Sequence, residues 1–183
     1  ENRNLDFLRL IVRAIVRAIC NTNDRLHVRY PQLRTNLTPE VSFITSQELE
    51  DMYPDKVPSE REMVYVREHK TACIMQIGGV LRSGKPHDGR APDYDDWGLN
   101  CDIFFWDEVL DRALEISSMG IRVDAESLAR QLELSGCENR RELPFHKLLL
   151  AGELPLTIGG GIGQSRLSML LLGCAHILSL IHI

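Results

Sequence analysis

The sequence predicts a single α+β domain in which an antiparallel sheet is flanked by helices. Its 183 residues are enough to bury one sizeable core, which favours one domain. Two strand patterns, at 102–106 and 115–123, follow each other as in a hairpin. Helical and strand patterns occur in mixed order without regular βαβ alternation, and this order is typical of α+β proteins.

The first half of the chain begins with the clearest helical pattern, over 5–20, where apolar residues recur every three or four positions. The polar, proline-containing stretch that follows, 21–40, is predicted to be a loop. The next helix, 46–53, is predicted to have Ser46 as its N-cap, with Leu49 and Met52 facing inward. The remaining elements predicted in this half are a strand at 41–45, a helix at 59–69, a strand at 72–78 and a loop at 78–100.

The second half alternates strands and helices around a glycine-rich stretch. The helix at 124–134 has Asp124 as its predicted N-cap, and Gly152 is predicted to end the later helix at 142–151. The other elements predicted here are a strand at 102–106, a helical turn or two at 107–114, a strand at 115–123, a helix at 142–151, and a strand, glycine run and helix from Leu156.

Composition excludes some classes of function. The net charge is −5 and the isoelectric point about 5.7, so the basic face that nucleic-acid binding needs is not indicated. No apolar stretch reaches the eighteen residues of a membrane span. The five scattered cysteines predict reduced thiols in a cytoplasmic protein. Because the first residue is Glu rather than Met and no signal peptide follows it, we expect an N-terminal part to be missing.

The stretch "TIGGGIGQSRLSMLLL", 157–172, is the most distinctive motif. It fails the dinucleotide-binding pattern, because Arg166 stands where the third glycine is required, and no Gly-Lys-Ser/Thr closes a P-loop. Two interpretations stay open at this point. One is a tight turn before a buried helix. The other is bare backbone at Gly161 and Gly163 that a flat ligand or phosphate can approach, with Arg166 beside it.

Carboxylates precede this motif on neighbouring strands. Asp102 begins one predicted strand and Glu115 begins the next, so the two are expected to meet on adjacent antiparallel strands. Such a pair supplies the hard oxygen ligands that Mg²⁺ needs when it bridges nucleotide phosphates. The aspartates of "RAPDYDDW" have the alternative interpretation of ordinary turn residues, which we favour for Asp96.

Small polar residues follow Glu115 in "EISSMGIRV". By the two-residue period of a strand, Ser117 is expected on the same sheet face as Glu115. Ser117 and Ser118 would leave space for a ligand, although an edge turn is an alternative. The six histidines show no metal-ligand spacing and no partnered nucleophile, and only His87, in the long acidic loop, stands out.

Together, "RAPDYDDWGLNCDI", "LEISSMGIRVDAESL" and "LTIGGGIGQSRLSMLLL" resemble the ammonia-dependent asparagine synthetase (aspartate–ammonia ligase) family. That family has the catalytic fold of class II aminoacyl-tRNA synthetases. The resemblance covers most of the chain and implies the C-terminal part of one catalytic domain over 1–177. It implies a cytoplasmic homodimer that converts L-aspartate, ammonia and ATP into asparagine, AMP and pyrophosphate through β-aspartyl-AMP, with Mg²⁺ as cofactor and neither nucleic acid nor membrane as partner.

The resemblance also implies roles for individual residues. Gly161 and Gly163 line the adenine site, and Arg166 stacks on adenine or grips the nucleotide. Asp95 holds the α-ammonium of aspartate. The remaining expectations are that Asp102 and Glu115 lie near the metal and phosphates, and that Glu115, Ser117 and Ser118 contribute to ATP binding.

Three departures from the family pattern qualify these expectations. The upstream motifs 1 and 2 are absent from this chain, so the fragment alone is expected to be inactive. Trp97 is followed directly by "GLN", where the family carries about nine further loop residues. The tail 178–183, "LSLIHI", is expected to be non-native. Two rival functions are an inactive nucleotide-binding or dimerisation module, and the catalytic half of an aspartyl- or asparaginyl-tRNA synthetase.

Overall fold

The computed structural model describes residues 2–33 and 35–180, so 181–183 of the predicted non-native tail lie outside the described residues. The described chain contains six α-helices, five strands and two short 3₁₀ helices. In order these are α1 (Leu5–Arg29), β1 (Ser42–Thr45), α2 (Ser46–Met52), α3 (Pro58–His69), β2 (Thr71–Met75), β3 (Asp95–Asp107), β4 (Arg112–Arg122), α4 (Ala125–Leu134), a 3₁₀ helix (Glu138–Glu142), α5 (Pro144–Leu150), β5 (Ile158–Ile162), α6 (Gln164–Leu172) and a 3₁₀ helix (Ile177–Leu180).

The five strands form one sheet in the order β1-β2-β3-β4-β5. Strands β2 to β5 pair antiparallel, and only β1 pairs parallel, with β2. The predicted α+β class with an antiparallel sheet is therefore confirmed. In the described part of the chain β5 is an edge strand, because it pairs with β4 alone.

Two layers of helices cover the sheet unequally. Apolar residues of α1 and α6 pack on one face, against Met75, Ile103 and Phe105, and we call this the α1 face. Helices α2 and α3 pack on the opposite face, over β1, β2, the second half of β3 and the start of β4, around Ile74, Phe104 and Ala113. The apolar clusters of the described residues place no helix on that face over Ser118 and β5. Helices α4 and α5 form a smaller cluster beyond the end of β4.

Several predicted boundaries were wrong. Helix α1 continues nine residues past the predicted end, because Leu26 still packs on the core and Asn23 is buried, its side-chain amide donating to Thr35 O. Because most of residues 21–29 are polar, the sequence pattern did not indicate that one side of this segment faces the core. The N-cap of α2 is Thr45 rather than Ser46, since the Thr45 hydroxyl accepts from Glu48 N in a capping box. Met52 is exposed rather than facing inward.

The hairpin between β3 and β4 was also mispredicted. Residues 108–111 form a turn and not a helix, because Asp107 Oδ1 accepts from Val109 N and Leu110 N and terminates the strand. The positive φ of Asp111, 47°, completes the reversal. Strand β2 ends at Met75, slightly earlier than predicted, but β3 begins at Asp95, well before the predicted start at 102. The long loop therefore covers 76–94 and is shorter than the predicted 78–100.

Candidate functional site

The glycine run forms a strand. Ile158–Ile162, which contains three consecutive glycines, is β5, and it pairs with β4. Gly159 lies opposite Gly120, and Gly161 lies opposite Ser118. The interpretation of this run as a tight turn is therefore wrong. Because paired residues of antiparallel strands point to the same side, Gly159, Gly161 and Ser118 share one face of the sheet.

A β-bulge in β4 decides which side chains share that face. Phe104 pairs with Glu115 and Ile103 pairs with Ser117, so Ile116 is an extra residue in β4. The bulge interrupts the two-residue alternation between Glu115 and Ser117. Ser117 therefore lies on the α1 face with Ile103, and it lines a cavity beside Ile15 of α1. The prediction that Ser117 shares a face with Glu115 is wrong.

Glu115, Ser118 and Asp102 do share the face opposite to α1. Asp102 pairs with Ser118 across the two strands, and Glu115 is paired with Phe104, whose ring packs with the α2–α3 layer. The predicted meeting of Asp102 and Glu115 is thus supported by the register. The Arg122 guanidinium covers Gly159, since a Cβ there would lie 2.6 Å from Arg122 Nη2. We call the open area over Asp102, Glu115, Ser118 and Gly161 the glycine platform.

The floor of the platform lacks side chains at its outer strand. A Cβ built on Gly161 would meet nothing within 4 Å, so the space above this residue is open. Gly163 ends the strand, and its N–H donates to Ile116 O at 2.8 Å, which ties the start of α6 to the bulge. Because glycine has no Cβ, a flat ligand can approach the β5 backbone at Gly161 more closely than it could if any other residue stood there.

Asp102 is the buried carboxylate of the platform. It forms an ion pair with Arg90, yet its Oδ1 has no hydrogen-bond partner among the described residues. Burial raises the pKa of Asp102 to about 6, Arg90 opposes the rise, and the nearby Glu115 carboxylate adds to it. One unpartnered oxygen beside a second carboxylate is a suitable arrangement for a hard divalent cation. No group of three or more metal-ligating side chains occurs in the described ranges.

Asp95 and Arg122 form a second ion pair at the end of the same face, in which Asp95 is buried and Arg122 partly exposed. Burial raises the pKa of Asp95, and the neighbouring Arg122 guanidinium opposes that rise. Arg122 also lies 3.9 Å over the ring of Tyr94 and donates to its hydroxyl at 3.0 Å. Gly120 makes room for the pair, because a Cβ there would lie 2.7 Å from Asp95 Cγ.

Arg166 approaches the platform from the first turn of α6. Its Nη1 donates to the backbone oxygen of Glu115 at 3.0 Å and lies 3.7 Å from Glu115 Oε1. The side chain of Arg166 is 54% exposed, so its remaining donors are available to a ligand. Arg166 and Glu115, predicted from separate motifs, are therefore in contact.

The other aspartates of "RAPDYDDW" point away from the platform. Asp96 forms an ion pair with Arg3, and Asp93 accepts hydrogen bonds from Arg140 and His146. The interpretation of Asp96 as an ordinary turn residue is wrong, because Asp96 lies in β3 and its carboxylate pairs with the distant Arg3. Residues 96–99 of β3 have no register partner in β4, since Asp95 pairs with Arg122 and the next pair is Asn100 with Gly120.

Sequence reasoning missed Arg122 and Gln131. Arg122 stands seven residues after Glu115, and only the bulge at Ile116 returns its side chain to the platform face. Gln131 lies among the apolar residues of α4, is 1% exposed, and donates from its side-chain amide to the backbone oxygen of Asp95. A polar residue between Leu128 and Leu132 was the available signal for Gln131, since a buried amide needs partners.

The arrangement has three arginine–carboxylate contacts around a bare backbone floor: Arg90–Asp102, Arg122–Asp95 and Arg166–Glu115. Guanidinium groups bind phosphate and carboxylate oxygens, and the carboxylates can hold a cation or an ammonium group. Such a surface is suited to a ligand with a flat ring, several anionic oxygens and an adjacent zwitterion.

No helix of the described chain is long and apolar enough to cross a bilayer.

The family model and the relatives that are similar in sequence all point to the same family. The family model described as aspartate-ammonia ligase matches residues 1–181. The aspartate–ammonia ligase of Lactobacillus johnsonii is 58% identical over 178 residues, covering 97% of this chain and 53% of the relative. That of Clostridium tetani is 56% identical over 177 residues, covering 97% and 52%. The chain therefore spans about half the length of the curated relatives it matches.

Solved structures share the fold. The aspartyl-tRNA synthetase of Entamoeba histolytica superimposes with a TM-score of 0.63 at 16% identity, covering 92% of this chain and 38% of the other. The asparaginyl-tRNA synthetase of Pyrococcus horikoshii, complexed with asparaginyl-adenylate, gives a TM-score of 0.62 at 18% identity, with 94% and 42% covered. The sheet and its helices thus have the class II synthetase architecture.

Proposed function

The chain belongs to the aspartate–ammonia ligase family, and from that membership we propose that it forms the C-terminal part of the catalytic domain of such an enzyme. The proposed reaction is the ATP-dependent amidation of L-aspartate by ammonia. The β-carboxylate of aspartate attacks the α-phosphorus of ATP, forming β-aspartyl-AMP and releasing pyrophosphate. Ammonia then attacks the activated β-carbonyl, AMP leaves, and asparagine forms after loss of a proton from nitrogen.

ATP is proposed to bind on the glycine platform. The open space over Gly161 accommodates a flat base against the β5 backbone, and Gly163 keeps the start of α6 close to that base. Arg166, held by Glu115, has free donors for the base or the phosphates. Ser118 lies on the same face opposite Gly161 and is proposed to contact the AMP moiety. Ser117 is directed to the α1 face, so its side chain has no part in this proposal.

The amino-acid substrate is proposed to bind at the Asp95–Arg122 pair. This pair presents one anion and one cation side by side, which complements the α-ammonium and α-carboxylate of a zwitterion. In that arrangement Asp95 holds the ammonium group and Arg122 holds the α-carboxylate. The β-carboxylate of the substrate would then be free to face the platform, where the nucleotide phosphates lie. Catalysis by these residues is positioning and charge stabilisation.

The donor set on the platform fits a magnesium ion. Asp102 and Glu115 would hold it, because Asp102 Oδ1 is buried without a partner and both groups are hard oxygen ligands. When bound, Mg²⁺ neutralises the negative charge of the ATP phosphates. Arg90 forms the ion pair with Asp102 and would stabilise this carboxylate when no metal is bound.

The observation that carries the proposal is the convergence of Asp102, Glu115, Ser118, Gly161 and Arg166 on one open face. Residues from three separate motifs of the sequence lie there together. The convergence depends on the antiparallel pairing of β3, β4 and β5 and on the bulge at Ile116.

The test uses this chain joined to the upstream half of the L. johnsonii relative, because the chain spans about half of such relatives. Pyrophosphate release and asparagine formation are measured with ATP, Mg²⁺ and aspartate, with and without ammonium and with and without aspartate- or asparagine-accepting tRNA. Ammonium-dependent asparagine supports the proposal. Aminoacylation of tRNA without asparagine formation indicates a synthetase instead. No adenylation under any condition indicates an inactive nucleotide-binding module.

The same preparation tests the remaining parts of the proposal. We propose a homodimer, and light scattering after size-exclusion chromatography would contradict it by giving a monomer mass. We also propose a cytoplasmic location, since the reaction consumes ATP, and fractionation of cells that produce the protein tests this.

A further inference from the structure

The segment of residues 87–97 joins the α3 side of the molecule to β3 and carries two residues whose ion pairs border the glycine platform. Arg90 in its first half is paired with Asp102, and Asp95 near its end is paired with Arg122. Residues 91–94 have no strand pairing, and 96–99 are unpaired with β4. Asp95 itself is held to β4 at one point, by its pairing with Arg122 and by the bond from Val123 N to Tyr94 O, so the contacts that this segment makes outside the sheet supplement that single point of pairing.

Gln131 of α4 makes three of those contacts. Its side-chain Nε2 donates to Pro92 O at 2.9 Å and to Asp95 O at 3.1 Å, and its Oε1 accepts from Trp97 N at 2.9 Å. All three partners are backbone atoms of the 87–97 segment. Gln131 is 1% exposed, so its amide is held in one orientation by these bonds. It spans the residues on both sides of Asp95 without touching the platform.

His146 of α5 holds the same segment through Asp93. Nε2 of His146 lies 3.0 Å from Asp93 Oδ2, and Arg140 Nη1 lies 2.9 Å from the same oxygen. Bonds from His146 and Arg140 outweigh the effect of burial and lower the pKa of Asp93. Because an ionised carboxylate only accepts, His146 donates from Nε2. His146 is buried, and Asp93 stands two residues before Asp95.

The other end of the segment has a contact of the same kind. His87 is buried, and its Nε2 lies 2.9 Å from Glu62 Oε1 on α3. The segment is thus attached to α3 at one end and to α4 and α5 at the other. Arg90 and Asp95 lie between or beside these attachments, and neither attachment uses a platform residue.

We propose that Gln131 and His146 are positioning residues, which act through the 87–97 segment to place the Asp95 carboxylate for binding the amino-acid substrate. This inference rests on the proposed function for the identity of that substrate. Gln131 fixes the backbone on both sides of Asp95, and His146 fixes the residue two positions earlier. Neither residue contacts ATP or the amino acid.

The principal test replaces Gln131 with methionine, which has similar length and no hydrogen-bonding amide. In the chain joined to its relative's upstream half, we expect the KM for aspartate to rise at least tenfold while the KM for ATP stays within twofold. In the chain as it stands, we expect amide hydrogen exchange of peptides covering 88–97 to become at least tenfold faster. Exchange needs no activity, so it decides the inference even if the proposed reaction is not observed.

Leu132→Ala is the matched control. Leu132 is the next residue of α4, is fully buried in the α4–α5 cluster, and forms no side-chain bond to the segment. Leu132→Ala should lower the melting temperature at least as much as Gln131→Met does. Its KM for aspartate and its amide exchange rates in 88–97 should stay near the values of the parent. An equal rise in aspartate KM in both variants would overturn the inference, because general loosening of α4 would then explain it.

His146 provides an independent pair of variants in case Gln131→Met does not fold. Glutamine can place a side-chain N–H near the position of His146 Nε2, so His146→Gln should keep an aspartate KM within threefold of the parent. His146→Leu removes the donor and should show the raised KM and faster exchange. Equal values of both measurements in His146→Gln and His146→Leu would overturn the role of His146.

Discussion

Adding a single methyl group to the platform tests whether a nucleotide lies on β5. In Gly161→Ala the new Cβ meets no atom within 4 Å, and the backbone φ is outside the left-handed region. The substitution also reduces the freedom of the unfolded chain. We therefore expect the free energy of unfolding to be unchanged or higher by about 0.4–1 kcal/mol.

The bound state should respond differently. If the base lies against the backbone at Gly161, the methyl group occupies part of its contact surface. Over-packing by one methyl group costs about 1–3 kcal/mol in a well-packed contact. At about 1.4 kcal/mol for each tenfold change, ATP binding should weaken roughly 5- to 150-fold.

Gly120→Ala is the contrasting variant. Its Cβ would lie 2.7 Å from Asp95 Cγ and 2.9 Å from Asn100 Cβ, well inside the usual carbon–carbon separation. We expect a loss of about 1–3 kcal/mol in stability. At about 2–4 °C per kcal/mol for a protein of this size, the melting temperature should fall by about 2–12 °C.

The assay combines thermal unfolding of both variants with calorimetric titration of ATP and Mg²⁺ into the chain joined to its relative's upstream half. Gly161→Ala should melt like the parent and bind ATP weakly, whereas Gly120→Ala should melt early. A stable Gly161→Ala protein with parental ATP affinity would refute the adenine site over β5.

Three other substitutions test separate contacts. Burial raises the pKa of Asp102 to about 6, so the folded chain binds this proton more tightly than the unfolded chain and the free energy of unfolding falls as the pH rises through this range. Between pH 4 and pH 7 the parent should lose about 2 kcal/mol that Asp102→Asn does not lose, and the same pH dependence of urea unfolding in both proteins would contradict the buried state of Asp102. Arg166→Ala should raise the KM for ATP and lower kcat, consistent with a charged hydrogen bond of about 1.5–3 kcal/mol, and unchanged ATP kinetics would remove Arg166 from the site. Thr45→Ala should cost about 1 kcal/mol as an N-cap, and no change in the denaturation midpoint would reassign the start of α2.

Much of the fold follows from local patterns. The apolar spacing of α1, the N-cap at Asp124 and the strands around 102–106 and 115–123 were each visible in the sequence and were confirmed. The errors occur where a side chain overrides a local pattern. Asp107 ends β3 by accepting two backbone N–H groups, and this turn had been predicted as a helix.

The residue types of the candidate site were predictable, but the face of the sheet on which each side chain lies was not. Asp102 and Glu115 were expected to meet, and the register supports this. Ser117 was expected beside Glu115, because strand periodicity assumes a regular strand. The extra residue Ile116 is an ordinary apolar residue, and nothing in its identity marks a bulge. The same bulge returns Arg122 to the platform face, so one irregularity accounts for both errors.

The three consecutive glycines of β5 have a consequence for the behaviour of this chain in solution. In the described residues β5 is the last strand of the sheet, and its outer N–H and C=O groups have no neighbouring strand. Edge strands of natural β-sheets usually carry charged residues or proline, which hinder pairing with a strand of another molecule. Ile158–Ile162 has three glycines and two isoleucines instead. Backbone that is bare enough to admit a flat ligand from above is equally accessible to a second strand from the side. At high concentration the isolated chain should therefore self-associate through this edge, and a lysine introduced at Ile162 should suppress that association.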